Sequence, residues 1–181
     1  MAVGCRAGSE TAVAGLYEVK QRPYSLPLPL IAADRRQVEG VASILPEAEK
    51  LIDLFWPGPL SILLPGSAQA PATLSGGTGQ VAVRIPSHAG ARALALAVGE
   101  PLVASSANIS GSPPARDALS VDPVLLERVP VVWDAPPKPA GCLPSTLVRL
   151  LDGGRIQVLR QGAVATHALQ QAGFAVACDL P

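Results

Sequence analysis

The apolar residues of this chain come in short runs, each closed by proline, glycine or a polar turn, with amphipathic stretches of helical length between them. The runs lie at 28–33, 60–64, 81–85, 101–104, 129–133, 146–151 and 156–159, a length that suits buried strands and falls far short of a membrane span. Between them, Ser9 caps a stretch with Val13, Leu16 and Val19 on one face, stopped before Pro23. Asp34 to Gln37 has the pattern of a capping box ahead of Val38, Val41 and Leu45. Pro46 opens a helix through Leu51, Ile52 and Phe55 that ends before Pro57. Residues 89–98 form an Ala-rich helix, and 166–172 a closing helix capped by Gly173. Pro29 confines the first run to a sheet edge or a strand start. Without strict βαβ alternation, the pattern predicts one α/β domain over residues 1–181, an open twisted mixed sheet with covering helices. The proline-rich stretch 135–144 reads as its one linker.

Hydrophobic residues make up 49% of the 181 but aromatics only 3%, so the core must be built from Ala, Val, Leu and Ile. Fourteen basic residues balance fourteen acidic ones, which excludes a bulk electrostatic grip on nucleic acid or on an anionic membrane. Any anion site must come from a few cations placed locally. Cys5, Cys142 and Cys178 are odd in number and far apart, with no Cys/His ligand spacing. They read as reduced thiols of a cytoplasmic protein, with no disulfide framework and no metal site. Residues 1–15 lack the hydrophobic core of a signal peptide.

Three polar clusters carry potential chemistry. Lys20 and Arg22, locked by Pro23, can converge on a polyanion, or merely complement the macrodipole at a helix end. Ser105 to Gly111 follows an apolar strand, at the end where α/β sheets hold ligands, or forms an ordinary Ser/Asn turn. Ser145 leads into one strand and Arg160 leaves the next, while Arg84 stands at the exit of 81–83. Ser75 to Gly79 is glycine-rich, but no Gly-Lys-Ser/Thr follows, so it reads as a flexible connection rather than a phosphate loop. His88 and His167 have no nucleophile at a recognisable spacing, and the acidic residues form no catalytic pair.

The order of these elements is more specific than any one of them. Lys20-x-Arg22-Pro23, Phe55-Trp56-Pro57-Gly58-Pro59, 81–86, Ser106-Ala107-Asn108-Ile109-Ser110-Gly111, Ser145-Thr146-Leu147-Val148 and Arg160-Gln161-Gly162-Ala163 follow one another along nearly the whole chain. This succession resembles the YrdC-like threonylcarbamoyl-AMP synthases.

The resemblance implies a fold with a concave, positively charged cavity. It also implies an ATP-dependent nucleotidyltransferase that joins L-threonine, bicarbonate or CO2, and ATP into threonylcarbamoyl-AMP with release of pyrophosphate, for a tRNA modification. Carried over residue by residue, Lys20 and Arg22 are the catalytic cations on the triphosphate. Arg160, Ser106 and Asn108 join them on ATP, and Mg2+ arrives with the nucleotide. Arg84, Ser145 and the backbone at Ala104 take the threonine. tRNA or the tRNA threonylcarbamoyl-transfer machinery is the further partner implied. The alternative is a non-catalytic nucleotide- or RNA-binding homologue of the same fold. A carbamoyl-transferring module of hydrogenase maturation shares the core as well.

The match has departures. Leu26 stands where a polar residue is common, and Ile31 where some members place histidine. Val3-Gly4-Cys5 aligns with the end of a Thr-x-Thr-x-Tyr-Gly-Leu-like segment, and the resemblance therefore implies that the family's opening strand is missing from this sequence. The expectation is an unfilled slot beside Lys20 and Arg22, and a weakened threonine pocket.

Overall fold

The computed structural model describes residues 1–133 and 143–177. Its elements in chain order are β1 (Ala2–Arg6), α1 (Glu10–Val19), β2 (Leu30–Ile31), α2 (Arg35–Val41), α3 (Glu49–Phe55), β3 (Leu60–Pro65), β4 (Gln80–Arg84), α4 (Ala89–Val98), β5 (Leu102–Ser106), α5 (Pro123–Arg128), β6 (Thr146–Leu151), β7 (Arg155–Arg160), α6 (Thr166–Gln171) and β8 (Val176–Ala177). The strands form one mixed sheet in the order β1-β5-β2-β4-β3-β6-β7-β8. The pairs β2–β4, β3–β6 and β7–β8 are parallel, and the others antiparallel.

Local signals set most boundaries. The Ser9 hydroxyl accepts from Ala12 N at 3.3 Å and the Asp34 carboxylate from Gln37 N at 2.9 Å, each satisfying an orphan donor of its helix. His88 caps α4 with Nδ1, which accepts from Ala91 N at 3.1 Å. Pro46 opens a 3-10 turn that runs into α3. Pro29 precedes β2, which lies inside the sheet rather than at its edge; the strand-start alternative is the one found.

Alternation then gives the sheet two different faces. Ile62, Leu64, Val81, Val83, Val103, Val148, Ile156 and Val158 point to the main core with Val13, Leu16 and Tyr17 of α1 and Leu51 and Ile52 of α3. On the other face α4 packs its Ala95 on Ile31 and Leu102, leaving the rest of that face open for a site. No helix among the described residues is long and apolar enough to cross a membrane.

Four elements depart from the sequence reading, one of them the short strand β8, which follows the helix read as the closing element. Residues 129–133 form no strand: Pro130 removes a ladder donor, and Val131 and Trp133 stay 75% and 52% exposed with no sheet neighbour. Helix α5, capped by Asp122 with Pro123 in its first turn, precedes them instead. The chain also opens on an unanticipated strand, β1, built from the Val3-Gly4-Cys5 stretch and paired along β5. A Cβ on Gly4 would lie 2.0 Å from Val103 O, so only glycine allows that approach. The expected linker at 135–144 lies almost wholly outside the described residues.

Candidate functional site

Helix α1 ends in a way that aims Arg22. Gln21 takes a left-handed φ of 50°, Gln21 N donates to Glu18 O, and Arg22 N donates to Tyr17 O at 2.9 Å. These are the paired bonds of a Schellman motif, in which a non-glycine residue carries strain at a functional position. The Arg22 guanidinium is then fixed by Leu26 O at 3.2 Å and Pro27 O at 2.9 Å. Leu26, read as a departure in side-chain type, thus contributes its carbonyl; the Tyr17 hydroxyl donates to the same oxygen at 3.0 Å.

Across the open face of the sheet lies a cavity of about 400 Å³. Arg22, Arg149 and Arg160 line it together with Ser61, Thr78 and Gln80, and no lining residue among the described ones is acidic. Arg160 grips Ser145 twice over, through Ser145 O at 2.9 and 3.2 Å and Ser145 Oγ at 3.1 Å. The Ser145 hydroxyl also meets Ser61 Oγ at 2.8 Å. Beneath this pair the Thr146 hydroxyl accepts from Gly162 N and Val164 N, both at 3.0 Å, and donates to Val164 O at 2.6 Å. That network explains the Ser-Thr and Arg-x-Gly-Ala spacings: they lock the turn after β7 onto the start of β6. Likewise Phe55-Trp56-Pro57-Gly58-Pro59 is structural, with Trp56 Nε1 donating to Leu60 O, Gly58 N to Ile85 O and Thr146 N to Pro59 O.

The electrostatics show the cations within reach of one another. Burial first, and Arg160 second, push the Arg84 guanidinium below its ordinary range; burial and Arg22 do the same to Arg160. Arg84 is half-buried, and its guanidinium has no hydrogen-bond or ion-pair partner among the described residues. Arginine does not surrender its proton, so this is a cluster of positive charge with no counter-ion among the described residues.

Lys20 is different. It is 1% exposed, and its ammonium lies under the loop after β5, donating to Ser106 O at 2.5 Å and Asn108 O at 2.7 Å. The loop after β5 covers Lys20 itself, while Arg22, two residues on, lines the open cavity. Burial and then Arg22 lower its pKa to about 8. Ser106 Oγ donates to Asn108 Oδ1, and Asn108 Nδ2 donates to Ile109 O at 2.9 Å and Ser112 O at 2.6 Å. Both side chains therefore shape the loop above Lys20 and stand outside the arginine-lined cavity. Ala104 N is taken by Pro29 O at 2.9 Å, which leaves its carbonyl side for any ligand.

Sequence reasoning missed Arg149, Ser61, Thr78 and Gln80. Only strand register could have found the first two. The glycine-rich stretch that reads as a flexible connection carries Thr78 to the cavity wall, with its hydroxyl on Ser75 O at 2.6 Å.

Known proteins resemble this chain in both sequence and fold. The family described as Telomere recombination (Sua5_yciO_yrdC) matches residues 1–162. A threonylcarbamoyl-AMP synthase of Escherichia coli is 40% identical over 164 residues, 88% of this chain and 83% of that protein. One from Xanthomonas campestris is 38% identical over 135 residues, 73% of this chain and 72% of that protein. The structure of P. abyssi Sua5 complexed with L-threonine superposes with a TM-score of 0.88 at 33% identity, covering 97% of this chain and 52%, about half, of that one. On sequence and on fold alike, the chain belongs to the Sua5/YciO/YrdC family.

Proposed function

We propose that this chain is an L-threonylcarbamoyladenylate synthase, a nucleotidyltransferase that converts L-threonine, bicarbonate and ATP to threonylcarbamoyl-AMP, pyrophosphate and water. The product would supply the tRNA threonylcarbamoyl-transfer machinery. The observation that carries this reading is the gathering of Arg22, Arg149 and Arg160 on one cavity, with no acidic residue among its described lining. Such a site suits a polyanion.

In the reaction the threonine amine takes up CO2, and a carbamate oxygen attacks the α-phosphorus while pyrophosphate leaves. Negative charge collects on phosphate oxygens, so preorganised cations can lower the barrier without a nucleophilic side chain. Arg22 and Arg160 would face the phosphates. Lys20 has spent two of its three protons on Ser106 O and Asn108 O, and the third, with no partner among the described residues, would stabilise the same charge from below. Ser106 and Asn108 would act by holding the loop beside the nucleotide. Arg84 would bind the threonine carboxylate, with Ser145 and the Ala104 carbonyl completing the pocket. No three His, Cys, Asp or Glu side chains gather for a metal among the described residues, so magnesium would enter as part of the nucleotide substrate, held by its phosphates.

Pyrophosphate release should require L-threonine, bicarbonate and ATP together. ATP binding without turnover would instead favour the non-catalytic nucleotide-binding homologue.

A second measurement addresses Lys20. An anion placed near it favours the charged form and raises its pKa above about 8. ATP binding near pH 8.5 should therefore take up protons, read by calorimetry in buffers of different ionisation enthalpy. Lys20→Met should abolish the uptake. Equal uptake in both proteins would show that Lys20 does not sense the nucleotide.

A further inference from the structure

We infer that Arg149 holds the pyrophosphate end of the nucleotide, on the side of the α-phosphorus away from the threonine. This rests on the reading proposed above and assigns a role to a residue that the motifs leave aside. Arg149 lies on β6 opposite Leu63 of β3, and both line the cavity. Its guanidinium has no hydrogen bond or ion pair among the described residues.

Direction along β6 decides which part of the ligand it meets. Ser145, Leu147 and Arg149 follow one another along one face of the sheet, two residues and about 7 Å apart. Ser145 is held by Arg160 and Ser61. Arg84 stands beside that end: β4 pairs Val83 with Ile62, so the next position along places Arg84 across from Ser61. The threonine end of the site is therefore the Ser145 end. Phosphoryl transfer needs the attacking and leaving oxygens roughly in line through phosphorus. With the carbamate arriving from the Ser145 and Arg84 end, pyrophosphate must depart along β6, and Arg149 is the lining cation that β6 itself carries in that direction. Gln80, paired with Pro65 two residues beyond Leu63, and Thr78 give the same end uncharged donors. As an exposed fork of N–H donors, Arg149 can grip two phosphate oxygens and stay accessible for product release.

The test is calorimetry on the full chain with ATP, AMP and inorganic pyrophosphate, for wild type, Arg149→Gln and Arg149→Lys. Arg149→Gln should weaken ATP and pyrophosphate about tenfold and leave AMP within about twofold, because AMP lacks the end that Arg149 holds. Arg149→Lys should fall between. Product inhibition by pyrophosphate should weaken by the same factor, with the KM for L-threonine unchanged. ATP and pyrophosphate bound equally well by wild type and Arg149→Gln would overturn the inference, as would a parallel loss of ATP and AMP. Wild-type protein that binds neither ATP nor pyrophosphate would overturn the nucleotide reading itself, and this one with it.

Discussion

Arg84→Met is expected to lower kcat/KM for L-threonine by at least about a hundredfold while leaving the unliganded protein as stable as before, or more so. The two effects share one cause. The Arg84 guanidinium is pressed by burial and by Arg160, without a partner among the described residues. In the free protein it therefore carries a desolvation cost that nothing returns, and an apolar side chain of similar length should remove it. In the complex proposed here the threonine carboxylate cancels that cost, and deleting the cation leaves a carboxylate unpaired, a loss of about 3 kcal/mol or more. Steady-state kinetics and a thermal melt on the same preparation check both halves. A lower melting temperature together with an unchanged KM for threonine would make Arg84 a structural residue.

Gly162→Ala is expected to cost about 3 kcal/mol of stability, lowering the melting temperature by roughly 6–12 °C in a chain of this size. A Cβ there would stand 2.3 Å from Pro144 O and 2.6 Å from both Ser145 C and Thr146 N. These are backbone atoms at the start of β6, and Ala163 N, on Pro144 O at 2.9 Å, and the Thr146 hydroxyl hold them in place. They cannot step aside without breaking that network. Because Arg160 rests on Ser145, ATP affinity should fall along with stability. Gly15→Ala is the matched control: it sits inside α1 with nothing within 4 Å of its Cβ position, so it should gain about 0.5–1 kcal/mol. A Gly162→Ala protein that melts with wild type would remove the steric account of the Arg-x-Gly-Ala motif.

Much of this architecture is legible in the residues. Ser9 and Asp34 announce their helices because capping is local chemistry, and the runs at 60–64 and 146–151 announce strands because they are too short and apolar for anything else. The order of motifs along the chain suffices for the family. What stays hidden is whatever depends on partners far away in sequence. The stretch before Arg6 has no alternation to mark it; it becomes a strand because β5 lies beside it, and Gly4, which weakens a strand taken alone, is what lets the two meet. Residues 129–133 have the composition of a strand and find no strand to pair with among the described residues. Arg149 looks like any surface arginine until the register with Leu63 turns it toward the cavity. Lys20 is half legible: the motif marks it as a cation for a ligand, and only the fold shows that the loop from Ser106 to Ser110 is also hung on it.

That attachment makes the loop part of a helix in dynamic terms. Lys20 holds the carbonyls of Ser106 and Asn108 with its ammonium, and its own carbonyl receives Ser110 N at 2.9 Å. Surface loops ordinarily exchange their amide hydrogens as fast as free peptide, yet here the Ser110 amide can open only when the last turn of α1 loosens. The loop and the helix end should therefore exchange deuterium as one cooperative unit, at a rate set by α1 and not by the loop's own exposure.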